Sequence, residues 1–304
     1  MERKLIRLAN KTLVVSLPSD WLEHLKLKKG DSVDIIRKEK DLLIRPQERT
    51  DKNLTLDIKN FPDRFLRKRL LASAYKIGFR RLTLKCTKAQ IPLVEGSMDM
   101  CLGLIVLEKT NDKIVIENIA EAESHDFESI FNKAFHILLF KSQELARLAK
   151  ANDRKGLEEL IEQRYTLRRH TNLCIYFLNQ SGHGGLEETN SYFYLLSTLD
   201  AIGDAYVRMT RYALKKKMSK EELAMLVDTN AFLKEVYLFF MGKAEIKNVY
   251  EIREKLVKLR QAKMEGEIRT LLILSAKLMR EVIECTFMIK LLKQQYILPF
   301  APDT

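Results

Sequence analysis

Two carboxylates lie one helical turn apart in the middle of a predicted helix, and their spacing makes them the first candidates for chemistry. Asp200 and Asp204 stand at the edge of an apolar stripe whose members recur every three or four residues. Carboxylates at positions i and i+4 destabilise a helix by roughly 0.2–0.5 kcal/mol, so a compensating cation is expected. Gly203, between them, allows another helix to approach closely. The stripe consists of Leu195, Leu199, Ile202, Tyr206 and Met209.

Two kinds of cation could compensate the negative charge of this pair. Arg208 and Arg211 follow Asp204 at i+4 and i+7 on the same edge, and protein cations there could neutralise both carboxylates. A metal ion that prefers oxygen ligands is the other source, with further ligands from an adjacent helix or subunit. In the metal interpretation, changing Asp200 and Asp204 to asparagine leaves metal-free stability unchanged or higher, because their repulsion is removed. The residues alone leave both interpretations open.

Four basic residues are concentrated in residues 1–14, against a single acidic one. The four are Arg3, Lys4, Arg7 and Lys11; in an alternating strand Arg3 and Arg7 share a face, and Lys11 lies in the loop before the next strand. A dimer would double this basic surface, which could then sit against DNA phosphates. The sequence therefore predicts DNA contacts from these four residues. The alternative is the solvated strand face of a protein–protein module.

Composition favours a polyanionic partner and argues against an enzyme, a secreted protein and a protein inserted in a membrane. The 304-residue chain has a formal net charge of +12 and a pI near 9.4, although a Lys-rich solvated surface gives the same balance. No Ser, His and Asp residues suggest a triad, so we expect no enzyme. Apolar stretches fall far short of the ~20 residues that cross a bilayer, and no secretory segment follows Met1. We therefore expect a cytoplasmic protein without membrane insertion. Four scattered cysteines are expected to be buried or free thiols: Cys86, Cys101, Cys174 and Cys285.

Residues 1–47 are predicted to form four short strands and one helix. Thr12–Leu17 alternates apolar and polar side chains as a strand does, Pro18 ends it, and Gly30-Asp31 supplies a tight turn. Such a segment buries too little apolar surface to fold alone, since chains below roughly 40–50 residues need a staple or a partner. It contains no cysteine. A second copy is the expected partner, and the protein is expected to be a homodimer.

This segment resembles the AbrB/MazE/SpoVT family. The matching residues are Asn10-Lys-Thr12, Val15-Ser-Leu-Pro18, Trp21, Leu27 and Gly30-Asp31. The resemblance implies half of a swapped-hairpin β-barrel that forms only as an interleaved dimer and binds double-stranded DNA. Some relatives act instead as antitoxins or assembly domains, which keeps the protein–protein alternative open.

The rest of the chain is predicted to contain a small mixed unit and a long helical region. Residues 48–52 form a polar hinge, and residues 53–119 follow the order β-α-β-α-β-β, typical of a small sheet with helices on one face. Residues 120–298 are helical throughout, with short loops that predict two stacked three-helix bundles. The six predicted helices are Phe127–Ala151, Lys155–Gln180, Thr189–Lys217, Ser219–Gly242, Lys247–Lys263 and Glu265–Gln295.

The helical region resembles the PhoU family, in which tandem three-helix repeats carry acidic metal motifs. The resemblance is carried by Leu199, Asp200, Ile202, Gly203 and Asp204. It implies a transition metal such as iron, zinc or nickel bound at Asp200 and Asp204. The corresponding stretch of the second helical set has no acidic pair, so at most one such site per chain is expected.

These features predict a multidomain, mainly α-helical protein. Its predicted domains are a swapped-hairpin β-barrel half at 1–47, a small α/β unit at 53–119 and a PhoU-like pair of three-helix bundles at 120–298. The combination resembles archaeal-type PhoU-related regulators, which implies a dimeric transcriptional regulator of phosphate uptake and homeostasis. The alternative is an adaptor that does not bind DNA and inhibits a phosphate transporter or a sensor kinase by protein contact.

Overall fold

The computed structural model describes residues 2–8, 12–38, 41–46, 53–60, 64–120, 127–245, 247–251, 254 and 266–293. Within this part the chain forms two compact units, Met1–Asp51 and Lys52–Thr304. The predicted hinge at 48–52 lies outside the described residues.

The first unit is rich in strands, as the sequence predicts. Strands β1 (Ile6–Leu8) and β2 (Thr12–Val14) pair antiparallel, and β3 (Val33–Lys38) pairs antiparallel with β4 (Asp41–Pro46). A short helix, α1 (Ser19–His24), lies between the two ribbons in sequence. The described strands of this unit form these two separate ribbons and do not close a barrel.

The predicted turn between α1 and β3 is confirmed. Gly30 has a φ of +97°, a left-handed conformation that favours glycine. The backbone N–H of Asp31 donates to the carbonyl oxygen of Lys28 at 3.0 Å. The carboxylate of Asp31 in turn accepts from the backbone N–H of Lys28 at 2.7 Å. These reciprocal bonds turn the chain into β3.

The first unit has no core of its own in the part that the structure describes. None of its described residues is buried, and large apolar side chains face solvent along all four strands. The most exposed of these are Leu5, Ile6, Leu8, Leu13, Ile35 and Leu42. A chain segment that buries no apolar side chain lacks the main favourable term of folding, which agrees with the expectation that it needs a partner.

The second unit begins with a four-stranded mixed sheet, in the order β5-β6-β8-β7. Its elements confirm the predicted β-α-β-α-β-β order, with a 3₁₀ turn before the second helix. They are β5 (Asn53–Asp57), α2 (Arg64–Ile77), β6 (Arg81–Lys85), the 3₁₀ turn Lys88–Gln90, α3 (Ile91–Met98), β7 (Leu104–Lys109) and β8 (Lys113–Asn118). Strands β5 and β6 are parallel, and the other pairs are antiparallel.

The remaining helices build most of the second unit. They are α4 (Phe127–Ala151), α5 (Arg154–Glu162), α6 (Tyr165–Ser181), α7 (Leu186–Lys215), α8 (Lys220–Phe240) and α9 (Glu267–Leu292). Of the predicted helix Lys247–Lys263, residues 247–251 and 254 are described and are helical. No described helix is long and apolar enough to cross a membrane.

The prediction of one helix over Lys155–Gln180 is wrong, because the chain leaves the helix at Gln163. The backbone of Gln163 has ψ near 11°, and its N–H donates to the carbonyls of Glu159 and Ile161. Its carbonyl oxygen accepts from the N–H of Thr166 at 3.0 Å and from Nζ of Lys141. A buried ammonium from α4 thus binds the backbone at the break.

The sheet and the helices share one hydrophobic core, joined along α6. The rings of Tyr75 and Tyr176 stack with centroids 5.5 Å apart. The hydroxyl of Tyr75 donates to the carbonyl of Leu102 at 2.9 Å, and the amide of Asn172 donates to the carbonyl of Met100 at 2.8 Å. Buried donors at this junction are therefore satisfied by backbone acceptors. The four cysteines are buried free thiols, as the sequence predicts.

Candidate functional site

Helix α7 carries both aspartates at the edge of its buried face. The five stripe residues predicted from sequence are buried, which confirms the helical periodicity. This orientation leaves the side chain of Asp200 26% exposed and that of Asp204 61% exposed. The pair is therefore close enough to the core to be contacted from a neighbouring helix.

The cation beside these carboxylates is Arg168 of α6. Its Nε lies 3.0 Å from Oδ1 and 3.1 Å from Oδ2 of Asp200, and its Nη2 lies 2.7 Å from Oδ2 of Asp204. Burial opposes the charge on Arg168, but the two carboxylates outweigh burial and raise the pKa of the guanidinium. Burial also lowers the pKa of nearby Lys76, an effect that Asp200 partly opposes. One guanidinium thus bridges both members of the acidic pair.

The close approach of α6 and α7 depends on Gly203, as the sequence predicts. A Cβ on Gly203 would lie 2.4 Å from Cδ2 of Leu167, so a larger residue would push the helices apart or displace Leu167. Arg168 follows Leu167 in α6. The absence of a side chain at Gly203 therefore helps to bring the guanidinium within hydrogen-bond distance of α7.

The cations expected from sequence are not those that the structure places at this pair. Nη2 of Arg208 lies 3.9 Å from Oε1 of Glu267, and neither Arg208 nor Arg211 forms an ion pair with Asp200 or Asp204 within the described residues. The correction has a simple cause: the i+4 rule considers neighbours on one helix. The actual partner comes from another helix, 32 residues earlier in the chain.

The residues around Asp200 and Asp204 do not fit a bound transition metal as they are placed. Protein sites for such metals use three or four nitrogen, oxygen or sulfur ligands. In the described part of the chain, no third His, Cys, Asp or Glu joins the pair. A metal would also have to displace Arg168, which already supplies the compensating charge. Metal binding at this pair stays a prediction from the resemblance alone.

A buried lysine beside this pair was missed by the sequence analysis. Lys141 of α4 is 8% exposed, and burial lowers its pKa to about 8. A cavity of about 20 Å³, lined by Lys141, Arg168 and Asp204 among others, has room for one water. A signal was present in the sequence, because Lys141 lies three residues after Leu138 and four before Leu145, on the apolar stripe of α4.

A second polar cluster lies where α6 ends and α7 begins. The ring of His183 packs against Phe127 and Tyr192, with centroid distances of 4.4 and 4.8 Å. Its Nε2 lies 3.9 Å from Oε1 of buried Glu188, and Nζ of Lys293 lies 2.9 Å from the same oxygen. These contacts link the start of α7 to the end of α9, and none of these residues is among the sites predicted from the sequence.

The predicted DNA-binding residues of the first unit are exposed where the structure describes them. Arg3, Lys4 and Arg7 are exposed, and none of them forms an ion pair with a described carboxylate. Arg7 lies between Ile6 and Leu8 in β1, so the alternation of side chains along a strand places it on the face opposite theirs, together with its cross-strand partner Leu13. The prediction for Lys11 falls outside the described residues.

Comparison with known proteins identifies the first unit but not the second. Residues 6–52 match the family model described as antidote-toxin recognition MazE, bacterial antitoxin. No curated protein and no solved structure matches the chain. The N-terminal region is therefore a MazE/AbrB-type antitoxin-like domain, which is consistent with DNA binding or a regulatory role. The match ends at residue 52, so the resemblance of the helical region to the PhoU family remains a prediction.

Proposed function

We propose that the protein is a dimeric transcriptional regulator that binds double-stranded DNA through its N-terminal domain. The observation that carries the proposal is a domain of this family type that has no buried side chain among its described residues and that has exposed basic residues in and just before β1. A second copy supplies the missing core, and the dimer presents the basic residues twice. The proposal assigns the protein no enzymatic activity.

The apolar surface of the first unit supports the proposed dimer. Ile6 is 56% exposed and Leu8 61% exposed on one face of β1, and Ile35 of β3 is 63% exposed. Fully burying such a side chain contributes about 1.5–3 kcal/mol. Two interleaved copies that bury these strands against each other would complete the swapped-hairpin barrel that the AbrB/MazE/SpoVT resemblance implies. The apolar face of β1 is then the internal one, and Arg7 faces outward.

DNA is the partner proposed for the outward face. Arg3, Lys4 and Arg7 are long exposed cations, and Lys11 lies between β1 and β2 in the sequence. Lys and Arg on such a surface bind phosphates and position a protein on the duplex without reading sequence. The formal net charge of +12 supports association with a polyanion.

The helical region is proposed to relay phosphate status to the DNA-binding domain. Support for this part comes from the PhoU resemblance, carried by the segment Leu199–Asp204 within a long helical region. Phosphate uptake and homeostasis are accordingly the proposed regulated process.

The salt dependence of DNA binding by the full chain tests the proposal. Affinity for a mixed-sequence duplex of about 30 base pairs is measured between roughly 50 and 200 mM salt. Because each lost phosphate contact lowers the log–log slope by about 0.9, changing Arg3 and Arg7 to Ala in both copies should lower it by about 3–4. The matched control changes exposed Lys133 and Lys277 to Ala, and should leave the slope intact. An unchanged slope in the arginine variant, with the dimer preserved, refutes DNA contact at this face.

One observation favours the adaptor as a second candidate. The family description of the N-terminal match names toxin recognition, which is contact between proteins. An adaptor of this kind would inhibit a phosphate transporter or a sensor kinase. Wild-type protein that forms the dimer but shows no salt-dependent binding to duplex DNA would favour this function over the regulator.

A further inference from the structure

Four helix termini meet at one end of the helical bundle. Helix α4 ends at Ala151 and α5 begins at Arg154, while α7 ends at Lys215 and α8 begins at Lys220. Nη1 of Arg154 donates to the carbonyl oxygen of Leu214 at 2.8 Å, which joins the α4–α5 turn to the end of α7. The two turns therefore form one continuous surface.

This surface, which we call the basic end, carries an exposed set of cations. None of them has a described carboxylate within ion-pair distance. Three acidic residues lie in the same segments and accept hydrogen bonds at the helix starts: Asp153 from the N–H of Gly156 at 3.0 Å, Glu222 from the N–H of Ser219 at 2.6 Å, and Glu221 from the hydroxyl of Ser219 at 2.8 Å. The exposed cations are Lys150, Arg154, Lys155, Lys215, Lys216, Lys217 and Lys220.

Helix dipoles do not account for this concentration of charge. Cations at the C-terminus of a helix are stabilised by about 0.3–1 kcal/mol, which explains the run Lys215–Lys217 taken alone. Arg154 and Lys155, however, occupy the first turn of α5, where the dipole disfavours cations and where the capping carboxylate of Asp153 is the acidic residue present. Residues 150–156 and 214–222 hold seven cations against three carboxylates, so the surface keeps a net positive charge that a bound anion would compensate.

We propose that the basic end is a second contact surface for the phosphate backbone of duplex DNA. The proposal rests on the DNA-binding function proposed above. No large apolar side chain is exposed in residues 147–156 or 214–222, all of which the structure describes. Membrane-surface helices insert apolar side chains, and protein interfaces use apolar or aromatic anchors. Phosphate contacts need only charge and reach, which is what this surface offers.

The test compares two triple variants of the full chain that change net charge equally. One variant changes Lys215, Lys216 and Lys217 to Gln. The control variant changes three exposed lysines within other helices to Gln: Lys133, Lys234 and Lys277. The probe is the same mixed-sequence duplex of about 30 base pairs. Loss of up to three contacts per chain should lower the log–log salt slope by roughly 2–3 per chain, and the control should keep the wild-type slope. Equal slopes for the two variants overturn the proposal.

A comparison of the two sets of variants separates this inference from the DNA-binding function on which it rests, and a second probe tests for a membrane surface. If the variant with Arg3 and Arg7 changed to Ala loses slope and the Lys215–Lys217 variant does not, the basic end fails and the N-terminal contact stands. If the reverse holds, the basic end stands and the N-terminal contact fails. Vesicles rich in phosphatidylserine are the second probe: loss of vesicle binding with unchanged DNA binding in the Lys215–Lys217 variant overturns the proposal in favour of a membrane surface.

Discussion

Replacing Arg168 by Gln removes the guanidinium that lies against both Asp200 and Asp204. Removing one partner of a hydrogen bond to a charged group lowers the free energy of unfolding by about 1.5–3 kcal/mol. Water can replace most of the hydrogen bonding that Asp204 loses, since its side chain is 61% exposed. It can replace less of the hydrogen bonding that Asp200 loses, since that side chain is only 26% exposed. We therefore expect a loss of about 2 kcal/mol in the free energy of unfolding, or roughly 4–8 °C in the melting temperature for a unit of this size.

The double variant with Asp200 and Asp204 changed to Asn separates the ion pair from the metal. If only repulsion between carboxylates mattered, its metal-free stability would be unchanged or higher. The structure predicts the opposite, because the side chain of Arg168 is 25% exposed and would lose both charged partners. We expect a loss of about 1–2 kcal/mol. Adding the change of Arg168 to Gln should cost less than the sum of the separate effects, with a coupling of about 1–2 kcal/mol.

Urea denaturation of chelator-treated and metal-exposed protein decides between the two cations. The wild type and the variant with Asp200 and Asp204 changed to Asn are each exposed to iron, zinc and nickel salts, washed, and measured for metal content and stability. Wild-type protein should hold no stoichiometric metal and gain no stability. A wild type that binds one metal per chain and is stabilised by it, while the variant lacking Asp200 and Asp204 is not, would refute the assignment of Arg168 as the compensating cation.

Three further predictions follow from other parts of the structure. Changing Leu8 to Asp places a charge on the apolar face of β1 and should convert the dimer to a monomer by light scattering, whereas Leu8→Ile should not. Burial lowers the pKa of Lys141 to about 8, so between pH 8 and 10.5 the folded chain has released a proton that the unfolded chain still binds. The free energy of unfolding of the wild type, measured in urea relative to Lys141→Met, should therefore rise by up to about 3 kcal/mol over this range. Changing Gly203 to Ala should destabilise the protein by about 1 kcal/mol in the same assay, because its Cβ would meet Leu167.

Features set by local periodicity could be predicted from the sequence. The bounds of Phe127–Ala151 agree with the structure, and so does the β-α-β-α-β-β order of residues 53–119. Both depend on side chains a few residues apart, where helical and strand periods are unambiguous. The N-terminal domain could be predicted for the same reason, since its turn at Gly30-Asp31 and its alternating strands lie within one short segment.

Features that depend on contacts between distant elements could not be predicted in the same way. The break at Gln163 coincides with a bond from Lys141, which belongs to a different helix. The partner of Asp200 is likewise on another helix, and nothing in the local pattern distinguishes Arg168 from its neighbour Arg169. An acidic i, i+4 motif therefore establishes that a cation is needed, and only the facing helix establishes which cation it is.

The two units depend on a partner to different degrees, and this difference shapes the DNA-binding proposal. The second unit closes a core within one chain, so its basic end can be present in a monomer. The first unit buries no described side chain, so we expect the arrangement of its basic residues to depend on the dimer. Because a dimer carries both surfaces twice, their contributions to the salt slope should add in the dimer. Two linked copies of the N-terminal domain raise each other's effective concentration on DNA, so the Leu8→Asp monomer should lose more DNA affinity than the variant with Arg3 and Arg7 changed to Ala.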